Sequence, residues 1–131
     1  MQQKIFMLVF FMLTVAIAFS QPFDCSRFRE GTFRIADTRT GVITIAERKG
    51  DYQTESSEAL KAVVRFRIIW QDNCTYTLRL DKVIRNENHI DFPYNMAVHV
   101  KIIETATNSY TQETSSSLTN GTYKVEVSKI N

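Results

Sequence analysis

Alternation of apolar and polar side chains constrains this chain more than any other feature. Across residues 61–70 (KAVVRFRIIW), Ala62, Val64, Phe66, Ile68 and Trp70 share one face, with Lys61, Arg65 and Arg67 on the other. The polar turn Gln71-Asp72-Asn73 follows. Cys74, Tyr76, Leu78 and Leu80 then alternate with Thr75, Thr77, Arg79 and Asp81. Successive side chains of a strand point to opposite faces, so each run is a half-buried strand and the pair is a hairpin. No window carries a helical stripe of period 3.6.

The same period recurs along the chain. Residues 32–36 put Phe33 and Ile35 inward, 42–48 form a further strand, and 96–105 alternate through Val98, Val100 and Ile102. Residues 122–128 align Tyr123, Val125 and Val127, and 51–58 and 109–119 are polar candidate strands. Turn clusters at 37–41, 49–51 and 120–121 separate them; Asn120-Gly121 suits a two-residue type I′ turn. Residues 85–95, with Pro93 and Asn86, Asn88 and Asn95, form the one long irregular stretch. About eight sequential strands joined by short turns predict an all-β fold, a single antiparallel up-and-down β-barrel whose closure removes exposed edges. A two-sheet β-sandwich would give the same period and is the alternative.

The first 20 residues stand apart. Lys4 precedes fifteen uncharged residues, 5–19, and small Ala18 and Ser20 precede Gln21. As a helix that run would span about 22 Å, short of the ~30 Å hydrocarbon core of a bilayer. It has the form of a signal peptide, which leaves residues 21–131 as one β-barrel domain, exported to the periplasm or secreted, with no stable membrane span after cleavage. Export permits a disulfide, and Cys25 and Cys74 allow a single intramolecular pairing; two separate buried thiols are the alternative.

Charge and motif content exclude several function classes. Beyond the leader, 15 Lys/Arg face 14 Asp/Glu, which gives no electrostatic footprint for nucleic acid. His89 and His99 show no paired ligand spacing with the cysteines, so no metal site is expected. There is no Gly-x-Ser-x-Gly, no phosphate-cradling glycine loop and no cofactor motif. Glu55 and Glu58 fall on opposite faces of a strand, a poor start for paired carboxylates. The expectation is a protein that is not an enzyme.

The inward faces are uneven, and that bears on function. Whichever phase the strand at 51–58 adopts, Tyr52, Thr54 and Ser56 or Gln53, Glu55 and Ser57 must point inward, and Tyr110, Gln112, Thr114 and Ser116 (or their neighbours) likewise. Each such group buried without a partner costs roughly 1–3 kcal/mol. The expectation is an interior dry along one wall and wet along the opposite one, able to hold a small amphiphilic ligand. Its polar contacts would be Arg48, Gln53, Glu55, Tyr110 and Gln112; its apolar contacts, Phe66, Trp70 and Tyr76. The competing possibility is that the two polar strands are solvated sheet edges.

Four segments carry a resemblance. Cys25-Ser26-Arg27-Phe28-Arg29-Glu30-Gly31-Thr32-Phe33, Ile45-Ala46-Glu47-Arg48, Gln53-Thr54-Glu55 and Trp70-Gln71-Asp72-Asn73-Cys74-Thr75-Tyr76-Thr77-Leu78 occur in the order found in a group of small exported proteins of Bacteroidota. The chain resembles that group from Cys25 to its C-terminus. Members often carry the label of a DNA topoisomerase IV subunit, which a chain this short without a nucleotide site does not support. The resemblance implies no established activity; it marks Arg48, Gln53, Glu55 and the two cysteines as pattern positions. Gly31-Thr32-Phe33 is also similar to the lipocalin Gly-x-Trp opening, with Phe in place of Trp. Two functions follow as expectations. One is an exported lipocalin-like domain binding a small amphiphilic ligand. The other is an interaction protein that engages an envelope protein, such as a lysozyme or protease, through the loop at 85–95, with His89, Phe92 and Tyr94 at its surface.

Overall fold

The computed structural model describes residues 24–118 and 120–131; the leader expected over 1–20 lies outside them. Eight strands follow in sequence: β1 (Gly31–Ala36), β2 (Ile43–Lys49), β3 (Tyr52–Ser57), β4 (Ala62–Trp70), β5 (Thr75–Asn86), β6 (Ala97–Thr105), β7 (Ser109–Ser116) and β8 (Thr122–Lys129). Each pairs antiparallel with the next, and β1 pairs with β8 from Phe33↔Lys129 to Ala36↔Glu126. That last ladder closes the barrel and excludes the two-sheet sandwich. It also removes the edge-strand possibility, since polar β3 and β7 are hydrogen-bonded on both sides.

The period-two pattern turns inward as expected. Phe33, Ala46, Val64, Phe66, Ile68, Tyr76, Leu78, Val100, Ile102, Tyr110 and Val127 are buried in one continuous core. The polar strands take the phase that sends Gln53, Glu55 and Ser57 inward from β3, and Tyr110, Gln112 and Thr114 inward from β7. β3 and β7 stand four places apart in a ring of eight, so their polar strips face each other across the interior. This corrects the expectation of one wet wall opposite one dry wall. Polar strips alternate with two apolar sectors, β4–β5–β6 on one side and β8–β1 on the other.

One end of the barrel is plugged. A 3-10 turn, Ser26–Phe28, crosses beneath the strands and buries Phe28 against the rings of Tyr110 (centroids 4.9 Å apart) and Phe33 (6.5 Å). The Cys25–Cys74 disulfide ties this turn to the start of β5, with Cα atoms 5.3 Å apart. Lys129 Nζ donates to Arg27 O at 2.7 Å, and Thr32 N donates to Asn131 O at 2.7 Å, so the C-terminus is drawn under the same end. Gly31 sits where that closure is tightest. A Cβ on it would lie 2.6 Å from Asn131 O, and its φ of +130° already disfavours other residues.

Three local features depart from the sequence expectation. β5 runs to Asn86, so the irregular segment expected from residue 85 begins later. β6 pairs with β5 only over Thr75–Arg79, so the upper half of β5 leaves the barrel wall with β4 as its sole partner. Register shifts at Val63/Val64 and Arg65/Phe66 accompany this divergence and leave Val83 and Ile84 exposed. The turn expected at Asn120-Gly121 is longer than two residues, because Ser115 pairs with Thr122 across the β7–β8 connection. Finally, Phe92 is half-buried rather than displayed at the surface. It packs against the core at the open end, whereas Tyr94 beside it is 89% exposed.

Closing the loop between residues 25 and 74 stabilises the fold by about 4 kcal/mol in the chain-entropy account. Reduction, or the double substitution Cys25→Ser/Cys74→Ser, is expected to lower the denaturant midpoint by a corresponding amount in equilibrium unfolding followed by circular dichroism.

Candidate functional site

The interior divides into a sealed lower layer and an open upper lumen. At the centre of the lower layer lies Arg48, only 2% exposed although its side chain carries a full charge. Its position on β2 points it inward, one residue before the turn that leads into β3. Nε donates to Gln53 Oε1 at 2.6 Å, Nη1 to Phe28 O at 2.8 Å, and Nη2 to the hydroxyls of Tyr76 (2.6 Å) and Tyr110 (2.5 Å). The guanidinium also stacks over the rings of Phe33 at 4.3 Å and Tyr76 at 4.9 Å. Four bonds satisfy most of the five N–H groups of a planar fork, which the three rotating donors of a lysine would not reproduce.

No carboxylate touches Arg48 directly. Its counter-charge arrives through Gln53, whose Nε2 donates to Glu55 Oε1 at 3.0 Å. Burial pulls the Arg48 pKa down, but the facing tyrosine oxygens and Glu55 outweigh it, so the guanidinium stays charged. For Tyr76, burial raises the pKa well above the ordinary phenol value against the pull of Arg48, so the hydroxyl stays neutral and keeps its proton. That proton is aimed at Gln112 Oε1, 3.4 Å away, and Gln112 Nε2 donates in turn to Thr114 Oγ1 at 3.0 Å. The two polar strips are thus joined through one arginine and one tyrosine. Among the described residues no buried side-chain nitrogen or oxygen lacks a partner.

Above this layer the barrel is hollow. A cavity of about 400 Å³ opens between the β1–β2 and β3–β4 connections, lined by Gln53, Glu55, Gln112 and Thr114 on the facing polar strips. Phe66, Tyr76, Leu78, Val98, Val100 and Val125 supply the apolar sectors between them. A smaller side chamber of about 100 Å³ continues under Phe92 and Leu60, and Glu55 lines both spaces. The residue that caps this chamber is held by its own segment. Asn86 and Ile90 bond each other twice at 2.8 Å, and Asn88 Nδ2 reaches Leu60 O at 3.1 Å.

The structure therefore sorts the residues expected at the site. Gln53, Glu55, Phe66, Tyr76 and Gln112 line the lumen. Arg48 and Tyr110 lie beneath its floor, where they organise the lining without facing the space. Trp70 stands lower still, clamped between the Arg29 guanidinium at 4.5 Å and the Tyr76 ring at 4.7 Å, and makes no part of the cavity. Sequence reasoning missed Thr114, Phe92 and Leu60 as lining residues. Thr114 was legible from the period of β7, whereas the other two come from connections whose path no periodicity encodes. A larger depression of about 600 Å³ lies outside the barrel beside the disulfide, lined by Asp24, Asp72, Cys74, Lys101 and Ile103 among others. None of the expected ligand contacts reaches it.

Comparisons with protein-family models, with curated proteins and with solved structures return no match to this chain. The fold and the geometry of the lumen are what the chain itself displays: an eight-stranded, disulfide-linked β-barrel with a polar network sealing one end.

Two outcomes follow from the network. Arg48→Met leaves Phe28 O and Gln53 Oε1 buried without donors and is expected to cost about 2–4 kcal/mol in urea unfolding, with Arg48→Lys recovering part of the loss. Glu55 behaves in the opposite sense, because burial raises its pKa despite the Gln53 bond and the charge of Arg48. As pH rises from the ordinary carboxylate range toward the raised value, the unfolded chain releases its proton first and stability falls. Glu55→Gln should raise the thermal midpoint at pH 7, and its advantage should vanish below about pH 4, where the carboxyl is protonated in both states.

Proposed function

We propose that this chain is an exported, non-enzymatic, lipocalin-like carrier that holds one small amphiphilic molecule inside its barrel. The observation that carries the reading is the empty upper lumen. An eight-stranded barrel is narrow enough for side chains to fill, as they do here below the Tyr76 hydroxyl. Filling the upper half would need only larger residues at Thr44, Val98, Val100, Thr114 and Val125. Instead the space measures about 400 Å³, within the ~300–1,000 Å³ range of ligand pockets, and combines apolar walls with a few oriented polar groups.

Binding rather than turnover accords with the chemistry on offer. Besides the carboxylates of Glu55 and Asp37, the lumen presents the amides of Gln53 and Gln112 and the hydroxyls of Thr40, Thr44, Thr114, Tyr76 and Tyr123, and among these described residues no nucleophile is held against a base. The disulfide fits an oxidising compartment, and the leader form of residues 1–20 supports export to the periplasm or beyond the cell. The alternative of docking an envelope protein through 85–95 loses its central aromatic, since Phe92 is turned toward the core.

A neutral environment-sensitive dye, N-phenyl-1-naphthylamine, tests the reading. It should gain fluorescence on binding with one-to-one stoichiometry, and saturation should raise the thermal midpoint. Val98→Trp, which fills the lumen from the apolar sector, should abolish both effects while leaving the barrel folded by circular dichroism. Unchanged dye binding in that variant would place the dye elsewhere and remove the carrier reading.

A further inference from the structure

The lining of the lumen is selective in charge, and the selectivity rests on the carrier reading above. Among the described residues two charged side chains border the space, and both are acids: Glu55 within it and Asp37 at the mouth. Asp37 is already matched, since Arg39 Nη2 lies 2.9 Å from its Oδ2. Among the described residues the buried cation is likewise engaged. Arg48 lies under the floor with its donors spent on Gln53, Phe28 and the two tyrosines, so it offers nothing to a ligand.

Glu55 differs from these groups. Its Oε1 accepts from Gln53, while its Oε2 meets no donor among the described residues, and the residue lines the lumen. It occupies the junction between the main space and the chamber beneath Phe92. Beside it stands Phe66, directly opposite Gln53 on the neighbouring strand, and among the described residues no protein cation lies over that ring. A carboxylate oxygen beside an aromatic ring that lines the same cavity is the pairing that recognises an ammonium group, through one charge-assisted hydrogen bond and one cation–π contact. The apolar sectors on either side accept a hydrocarbon body. Gln112 and Thr114, across the lumen, already bond each other and complete the polar girdle.

We propose that the carried molecule is a small hydrophobic amine, bound with its ammonium group on Glu55 and its apolar part along the β4–β5–β6 sector. A carboxylate ligand of the same shape is disfavoured, because its head would face Glu55 while the donors of the nearby Arg48 are spent beneath the floor.

Displacement of N-phenyl-1-naphthylamine by octylamine, octanol and octanoate at pH 7.5 separates the possibilities. The amine should compete at least tenfold more strongly than the alcohol, and octanoate should compete least. Glu55→Gln, which keeps the Gln53 bond, should bring octylamine down to the level of octanol, with each competition referred to the dye affinity measured for the same variant. If the three compete equally, or if octylamine keeps its advantage in Glu55→Gln, the amine assignment fails and the carrier reading stands. If neither the dye nor any of the three binds, both fail together.

Discussion

A charged guanidinium inside a β-barrel has to be answered from every direction, and the answer given to Arg48 organises this protein. Isolated in a low-dielectric interior, such a group is prohibitive. Here a backbone carbonyl, an amide and two phenols take its hydrogen bonds, and aromatic faces screen what remains. These partners come from the N-terminal turn and from β3, β5 and β7. One side chain therefore ties together segments spread across most of the described chain. The 3-10 turn is held under the barrel by the same interaction, because Phe28 O is one of the acceptors.

The arrangement has a consequence for the upper half. Because Gln53 and Tyr76 are committed to Arg48 at one end, their remaining groups are oriented at the other. Gln53 offers its amide to Glu55, and Tyr76 offers its proton to Gln112. The polar lining of the lumen is thus preorganised from below. The closed end supplies rigidity through the disulfide, the buried ring cluster and the pinned C-terminus. The open end is bounded by connections, of which the segment bearing Phe92 folds inward over the side chamber. A rigid base beneath a cavity bordered by loops places the polar lining groups on strands, where their geometry is best defined.

The opposed placement of the polar strips matters for what can enter. A single wet wall would orient any amphiphile sideways across the barrel. Two facing strips with apolar sectors between them instead set a polar plane through the axis. In the proposed carrier the asymmetry between them would set orientation, since β3 carries a carboxylate and β7 carries amide and hydroxyl groups that already bond each other.

Much of this was legible in the sequence. Alternation on either side of the turn at 71–73 specified a hairpin and its inward face, because a one-residue slip would send Phe66 and Tyr76 into water. Repetition of that period about eight times specified an antiparallel all-β chain, but the polar residues at 53–57 and 110–114 fitted solvated edges as well as an interior that was not wholly dry. Alternation is a property of single strands, however, and says nothing about which strands meet around a ring. Closure came only from the β1–β8 ladder, and the opposition of β3 to β7 follows from closure. The depth of each side chain was equally hidden. Arg48, Tyr110 and Trp70 share the inward phase with Glu55 and Gln112, yet position along the barrel axis places the first three below the floor and the others in the lumen. Phe92 sits in a segment with no period at all, so only the folded path of the backbone could turn it inward.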